Sequence, residues 1–191
     1  MKKIVPIILA MIFVLTITGC SSKHNPEKIP LESLPADYSL EQAKEDGCIV
    51  YESSDITSGQ EIWDKFMKTV NAGKEATVRL GFYYTLDPSK CDPEYYKSAK
   101  DDYPVLFIRD LIFDGTSYTI RGYDEGHENV KTYKYLMKYE GQAETPDAIY
   151  TSYVRYVLTN NDTVTWEQIV HGIFSSSGDY INHYVVYTDL Y

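Results

Sequence analysis

His171, with Ser175, Ser176, Ser177 and Asp179 close behind it, brings together the side-chain types of a hydrolytic triad. A triad needs its serine on a sharp strand-to-helix turn that presents the hydroxyl to the imidazole. Here the serines follow the histidine at the end of a helical stretch, and a histidine in a last helical turn is already accounted for by the negative end of the helix dipole. His127 and His183 have no second His or Cys at a metal-ligand spacing, so no zinc site is expected. Cys48 as a nucleophile would need a nearby base and a lowered pKa, and no sequence partner supplies either. A glycine-rich phosphate loop is also missing. The expectation is a chain with no catalytic residues, metal or cofactor.

Cys20 carries a different chemistry. Lys2 and Lys3 precede an apolar run from Ile4 to Ile17, too short to span a bilayer, and Ile17-Thr18-Gly19-Cys20 follows. This run resembles a lipobox, the bacterial lipoprotein signal in which small residues precede a cysteine that receives lipid and becomes the new N-terminus. Two acyl chains on one residue give stable membrane anchoring, at about 0.8 kcal/mol per buried methylene. Residues 1–19 are thus read as a signal peptide. Residues 20–38, polar and interrupted by Pro26, Pro30 and Pro35, are read as lipid anchor and flexible linker, and residues 39–191 as one domain.

Of 18 basic residues the leader takes two, leaving 16 against 28 acidic ones. That balance argues against nucleic-acid partners, which require clustered Lys and Arg. An exported chain permits a disulfide between Cys48 and Cys91, closing a loop that would add about 4 kcal/mol in the chain-entropy model. Pairing needs the strand at Cys48 to run antiparallel to the strand at Ala76; a parallel arrangement puts the two sulfurs at opposite ends of the sheet.

The elements that must position these residues are read from periodicity. Ala76, Val78, Leu80, Phe82, Tyr84 and Leu86 alternate with Thr77, Arg79, Gly81, Tyr83 and Thr85, the pattern of a half-buried strand. Val105–Phe113, Ser117–Tyr123 and Val130–Tyr139 follow as β-branched and aromatic runs split by Asp114-Gly115 and Glu125-Gly126, which predicts an antiparallel meander. Val105–Phe113 is apolar on both faces except at Arg109-Asp110, and so belongs in mid-sheet. Capping boxes at Ser39/Gln42, Ser58/Glu61 and Thr165/Gln168 start three helices. The second has Trp63, Phe66 and Val70 on one stripe; the third precedes a last strand at Tyr184–Tyr187. The fold class is α+β: an antiparallel meander with an amphipathic helix on one face and a second helix before the C-terminal strand.

Asp46-Gly47-Cys48-Ile49-Val50-Tyr51, Asp55-Ile56-Thr57-Ser58-Gly59-Gln60, Tyr133-Lys134-Tyr135-Leu136-Met137-Lys138-Tyr139 and Thr165-Trp166-Glu167-Gln168-Ile169 together resemble a family of uncharacterised lipid-anchored proteins of Gram-positive bacteria, a domain of unknown function. The resemblance implies the outer face of the cytoplasmic membrane as location and transfers no catalytic residue. The chain also holds 19 tyrosines, a residue whose ring packs while its hydroxyl stays wet. Most serve half-buried sheet positions; Tyr133, Tyr135 and Tyr139 are the candidate ligand-facing aromatics. The function expected is a non-catalytic binding module at the membrane and cell-wall interface, its partners the membrane through Cys20 and a wall component or protein. A small exported hydrolase with a site in a sheet-facing groove is the alternative.

Overall fold

A computed structural model describes residues 28–53, 55–143, 148, 150–175 and 180–191. In chain order the elements are α1 (Leu40–Glu45), β1 (Ile49–Glu52), β2 (Asp55–Ser58), α2 (Gln60–Asn71), β3 (Ala76–Tyr84), α3 (Pro93–Ala99), β4 (Val105–Phe113), β5 (Tyr118–Asp124), β6 (His127–Tyr133), β7 (Tyr135–Gln142), β8 (Ser152–Thr159), α4 (Trp166–Phe174) and β9 (His183–Leu190). The mixture is α+β and mostly antiparallel. Cys20 and the leader lie outside the described residues, as do Ser176, Ser177 and Asp179.

Local chemistry explains most element boundaries. Ser39 and Gln42, and Thr165 and Gln168, form reciprocal capping boxes that start α1 and α4. Ser58 does not cap α2. Gly59 does, at φ +83°, because a Cβ there would sit 2.9 Å from the Cys48 carbonyl oxygen and from the Ile49 Cα. At Glu125-Gly126 both residues have positive φ, the geometry of a tight hairpin, and β5 and β6 pair directly across it.

Two sheets form where the sequence predicts one. The larger has strand order β2-β1-β3-β4-β5-β6, and the smaller β7-β8-β9. From β3 to β6 the larger sheet is the expected meander, whereas β1 runs parallel to β3. The run read as one strand, Val130–Tyr139, breaks at Lys134. The Lys134 N–H donates to the Asn160 side chain at 3.1 Å, and the chain passes from one sheet to the other. The break shifts the phase of alternation, so that Tyr133 and Leu136 both reach the main core.

That core lies between the sheets. Val78, Leu80, Leu111, Phe113 and Ile120 from the large sheet meet Leu158, Val186 and Tyr187 from the small one, with Trp63, Phe66 and Val70 of α2 in the same cluster. Tyr51 crosses between them and donates a 2.6 Å hydrogen bond to the Thr188 carbonyl. On the far side of the small sheet, Ile169 of α4 is buried with Val157 and Val164.

The outer face of the large sheet is covered by the segment read as a free linker. Leu31 is 5 % exposed, and with Leu34 and Tyr38 it packs on Cys48, Val50 and Ile108. Ile29, Leu31, Leu34 and Tyr38 of that segment therefore pack or bond against the sheet. Consequently β3 is buried on both faces from Val78 to Phe82 rather than on one. Beneath this strap Arg79, Asp110 and Arg121 stand opposite one another on β3, β4 and β5. Arg79 donates through Nε and Nη2 to the two Asp110 oxygens at 2.8 and 3.0 Å, and through Nη1 to the Ile29 carbonyl at 2.6 Å. Arg121 donates to the same carboxylate at 3.2 Å. Burial pushes the Asp110 carboxyl up, but the bonds and charge of Arg79, then Arg121, outweigh it and hold it below the ordinary range.

Candidate functional site

An open cleft of about 610 Å³ lies between the C-terminal part of β3 in the large sheet and the start of β9 in the small one. One wall is Phe82 and Tyr84 of β3 with Phe107 and Arg109 of β4; the other is His183, Tyr184 and Val185 of β9; Tyr103 stands at the rim. Register explains the first wall, because Phe82 pairs with Phe107 and the even positions of β3 share a face with the odd positions of β4. Tyr84 and Phe107 meet edge to face at 6.0 Å and remain 43 % and 39 % exposed. Half-exposed rings on paired strands give a rigid apolar surface at small entropic cost on binding.

Arg109 fixes the polar character of the floor. Its Nη2 donates to Asp124 Oδ2 and its Nη1 to the Ile108 carbonyl, both at 2.8 Å, while the guanidinium lies 5.3 Å from the centre of the Phe107 ring. The side chain lies flat across Gly122, where a Cβ would meet its Cδ and Nε at 2.6 Å. Asp124 neutralises its charge, and the bonds made use only part of its five-donor fork. Burial pushes the Tyr84 and Tyr184 hydroxyls up against the opposing influence of Arg109, so both are neutral phenols at physiological pH. His183 brings Nδ1 to 2.7 Å from the Ile181 carbonyl, which can only accept, so Nδ1 is the donor of that bond.

Protein-family models, curated proteins and solved structures contain no match to this chain. The chemistry of the cleft is that of its own side chains: apolar ring faces, neutral hydroxyls, an imidazole and a guanidinium whose charge is already balanced. It suits a ligand with an apolar face and hydroxyl or carbonyl groups better than one with a dense negative charge.

The residues singled out in the sequence take other places. Tyr133 is 1 % exposed inside the main core, so it is closed to a ligand. Tyr139 donates to the Val164 carbonyl at 2.8 Å and packs on Trp166 beneath α4, and Tyr135 is partly buried in the small sheet opposite Thr159. The three do not form one surface, because the break at Lys134 puts Tyr133 in a different sheet from the other two. His171 lines a separate pocket with Glu167, Gln168 and Tyr180. Its carbonyl accepts the Ser175 backbone N–H, as a helix end requires. Among the described residues no three His, Cys, Asp or Glu side chains gather closely enough to hold a metal ion.

Cys48 and Cys91 are both free thiols. The parallel pairing of β1 with β3 sends them to opposite ends of the sheet, so the disulfide considered from the sequence does not form. Burial pushes the Cys48 thiol up, whereas Cys91 is partly exposed. A thiol reagent added to the native protein is therefore expected to modify Cys91 within minutes and Cys48 only after denaturant is added. Equal labelling rates by mass spectrometry would contradict the buried placement of Cys48.

The cleft residues were missed for a physical reason. They come from three strands whose adjacency depends on the split into two sheets. The one available signal was Arg109-Asp110, two charges in an otherwise apolar central strand, which turn to opposite faces and serve different structures.

Proposed function

We propose that this chain is an extracytoplasmic lipoprotein, tethered to the outer face of the cytoplasmic membrane through Cys20, whose α+β domain binds a cell-wall glycan in the cleft between its sheets. The observation that carries the binding role is the Tyr84–Phe107 ring pair with Arg109 held beside it by Asp124. A sugar ring offers an apolar face to the aromatic pair and hydroxyl acceptors to the guanidinium fork. Trp63, Phe66 and Val70 support the packing of α2 across the inner face of the large sheet, a rigid backing for the cleft wall. The leader, Cys20 and the acidic surface support the location, and the resemblance to Gram-positive lipid-anchored proteins agrees with it.

Tyr84→Ala combined with Phe107→Ala is expected to abolish retention on insoluble wall material. Because both rings are half-exposed, stability should change by only about 1 kcal/mol. Retention that survives both substitutions would remove the cleft from the role.

One observation favours a hydrolase in the same cleft: His183 lines it with Nδ1 committed to the Ile181 carbonyl, which leaves Nε2 as the nitrogen to serve as a general base. On that reading His183→Gln stops release of soluble fragments from wall material without loss of retention. Absence of any release by the unaltered protein rejects it.

A further inference from the structure

We infer that the cleft accepts uncharged glycan and turns away acidic sugars, and that Asp124, a residue outside the cleft lining, makes the choice through Arg109. The inference rests on the glycan-binding role proposed above and narrows its ligand class. Among the described residues that line the cleft, Arg109 is the one arginine or lysine, so an anionic ligand has a single fixed cation to find there. That cation is already engaged. Its Nη2 donates to Asp124 Oδ2 at 2.8 Å, and with the two side chains 16 % and 31 % exposed, solvent screens the pair only in part. Asn129 Nδ2 donates to the same Asp124 oxygen at 3.3 Å. A ligand carboxylate drawn to the guanidinium would share the fork with Asp124, and the two like charges repel. A sugar hydroxyl meets no such opposition and accepts from the donors that remain.

Strand register builds this arrangement. Arg109 pairs with Leu80 on β3 and with Gly122 on β5, and Gly122 pairs with Asn129 on β6. Side chains alternate along each strand, so Asp124, two residues beyond Gly122, shares a face with Arg109, Phe107 and Phe82. Gly122 is the gap in that face. The Arg109 guanidinium lies over it and reaches Asp124, where an added Cβ would stand 2.8 Å from Cζ. The wall therefore passes from apolar rings on β3 and β4 to a pair on β4 and β5 that is polar but carries no net charge. Such a surface matches the apolar face and hydroxyl edge of a neutral sugar, whereas a uronate or phosphate needs a guanidinium whose charge is free.

The test compares retention on two forms of one material: insoluble wall glycan stripped of peptides and anionic polymers, and the same glycan after its primary alcohols have been oxidised to carboxylates. The unaltered protein is expected to bind the oxidised form about tenfold or more weakly than the neutral one. Asp124→Asn removes charge and keeps both hydrogen bonds, because both fall on one oxygen that an amide carbonyl can supply. It should narrow the gap by about tenfold and leave binding to the neutral glycan within about threefold. Glu45→Gln removes the same charge beside Ala76 and Thr77, at the other end of β3, and should narrow nothing. Arg109→Gln added to Asp124→Asn should restore the gap. Equal or stronger binding of the unaltered protein to the oxidised glycan, or a gap no narrower in Asp124→Asn than in Glu45→Gln, overturns selection by Asp124 and leaves the cleft standing as a binding site. If the unaltered protein is retained on neither form, the glycan-binding role fails and the inference fails with it.

Discussion

Asp110→Asn is expected to destabilise the domain by about 3–5 kcal/mol, the range for removing one partner of a buried ion pair. Against the 5–15 kcal/mol that holds a typical domain together, that is between a fifth and all of the stability. The size follows from what is left behind. Arg79, 5 % exposed beneath the strap, would keep its charge with only neutral acceptors, the Ile29 carbonyl and one amide oxygen, and Arg121 would face it with no negative charge between them. Urea denaturation at neutral pH measures the change. Replacing the pair together, with Arg79→Met and Asp110→Leu, should restore much of the loss, because apolar residues of similar volume relieve the desolvation penalty. A variant Asp110→Asn within 1 kcal/mol of the parent would show that water reaches Arg79 and that the strap does not seal it.

The same carboxylate sets a pH dependence. The folded Asp110 is held below its unfolded value of about 3.9, so its contribution is fully present above that value and is lost as pH falls through the folded one. Stability of the parent should therefore fall on acidification below about pH 4 more steeply than that of the Arg79→Met, Asp110→Leu variant. Parallel acid limbs in the two proteins would remove Asp110 as a source of the slope.

How much of this was legible in the sequence depends on whether the signal was local. Capping boxes at Ser39 and Thr165, the hairpin at Glu125-Gly126 and the central position of Val105–Phe113 were read correctly because turn chemistry and alternation act within a few residues. The second sheet was not. Its origin is a single N–H, that of Lys134, diverted to a side chain 26 residues away, and the only local trace is Leu136 falling out of phase with its tyrosine neighbours. Nor was the strap, since Leu31, Leu34 and Tyr38 form no period among the prolines and polar residues that surround them. Their burial exists only because the outer face of β1, β3 and β4 is apolar. With strap and second sheet both hidden, Arg79 looked like a solvent-facing residue of a half-buried strand, and Tyr133 like part of a continuous tyrosine face.

Trp63→Ala is expected to lower stability by about 3–5 kcal/mol and also to open the cleft some distance from the substitution. Trp63 is 2 % exposed on α2. Its ring stacks on Phe66 at 5.7 Å, and two rings of the small sheet stand edge-on to it, Tyr156 at 5.0 Å and Tyr187 at 5.9 Å. Tyr187 in turn meets Tyr51 of the large sheet at 5.6 Å, so one aromatic chain joins the helix to both sheets. The cleft has Phe82 on one sheet and Tyr184 on the other, and its width is set by that joint. A cavity at Trp63 leaves each sheet its own hydrogen bonds but removes the contacts that hold them at a fixed separation. Trp63→Phe, which keeps a ring in the site, should lose less stability and retain most ligand retention. Trp166, the remaining tryptophan, sits over the small sheet with Arg155 at 4.4 Å from its ring and reports that sheet by fluorescence. In the alanine variant its transition in urea should separate from the loss of far-ultraviolet circular dichroism, the mark of two sheets that no longer unfold together. Coincident transitions at an unchanged midpoint would mean that the hydrogen bond from Tyr51 to Thr188 and the packing of Leu158 and Val186 in one core with Leu80 and Leu111 hold the sheets without the indole, and that the width of the cleft is set elsewhere.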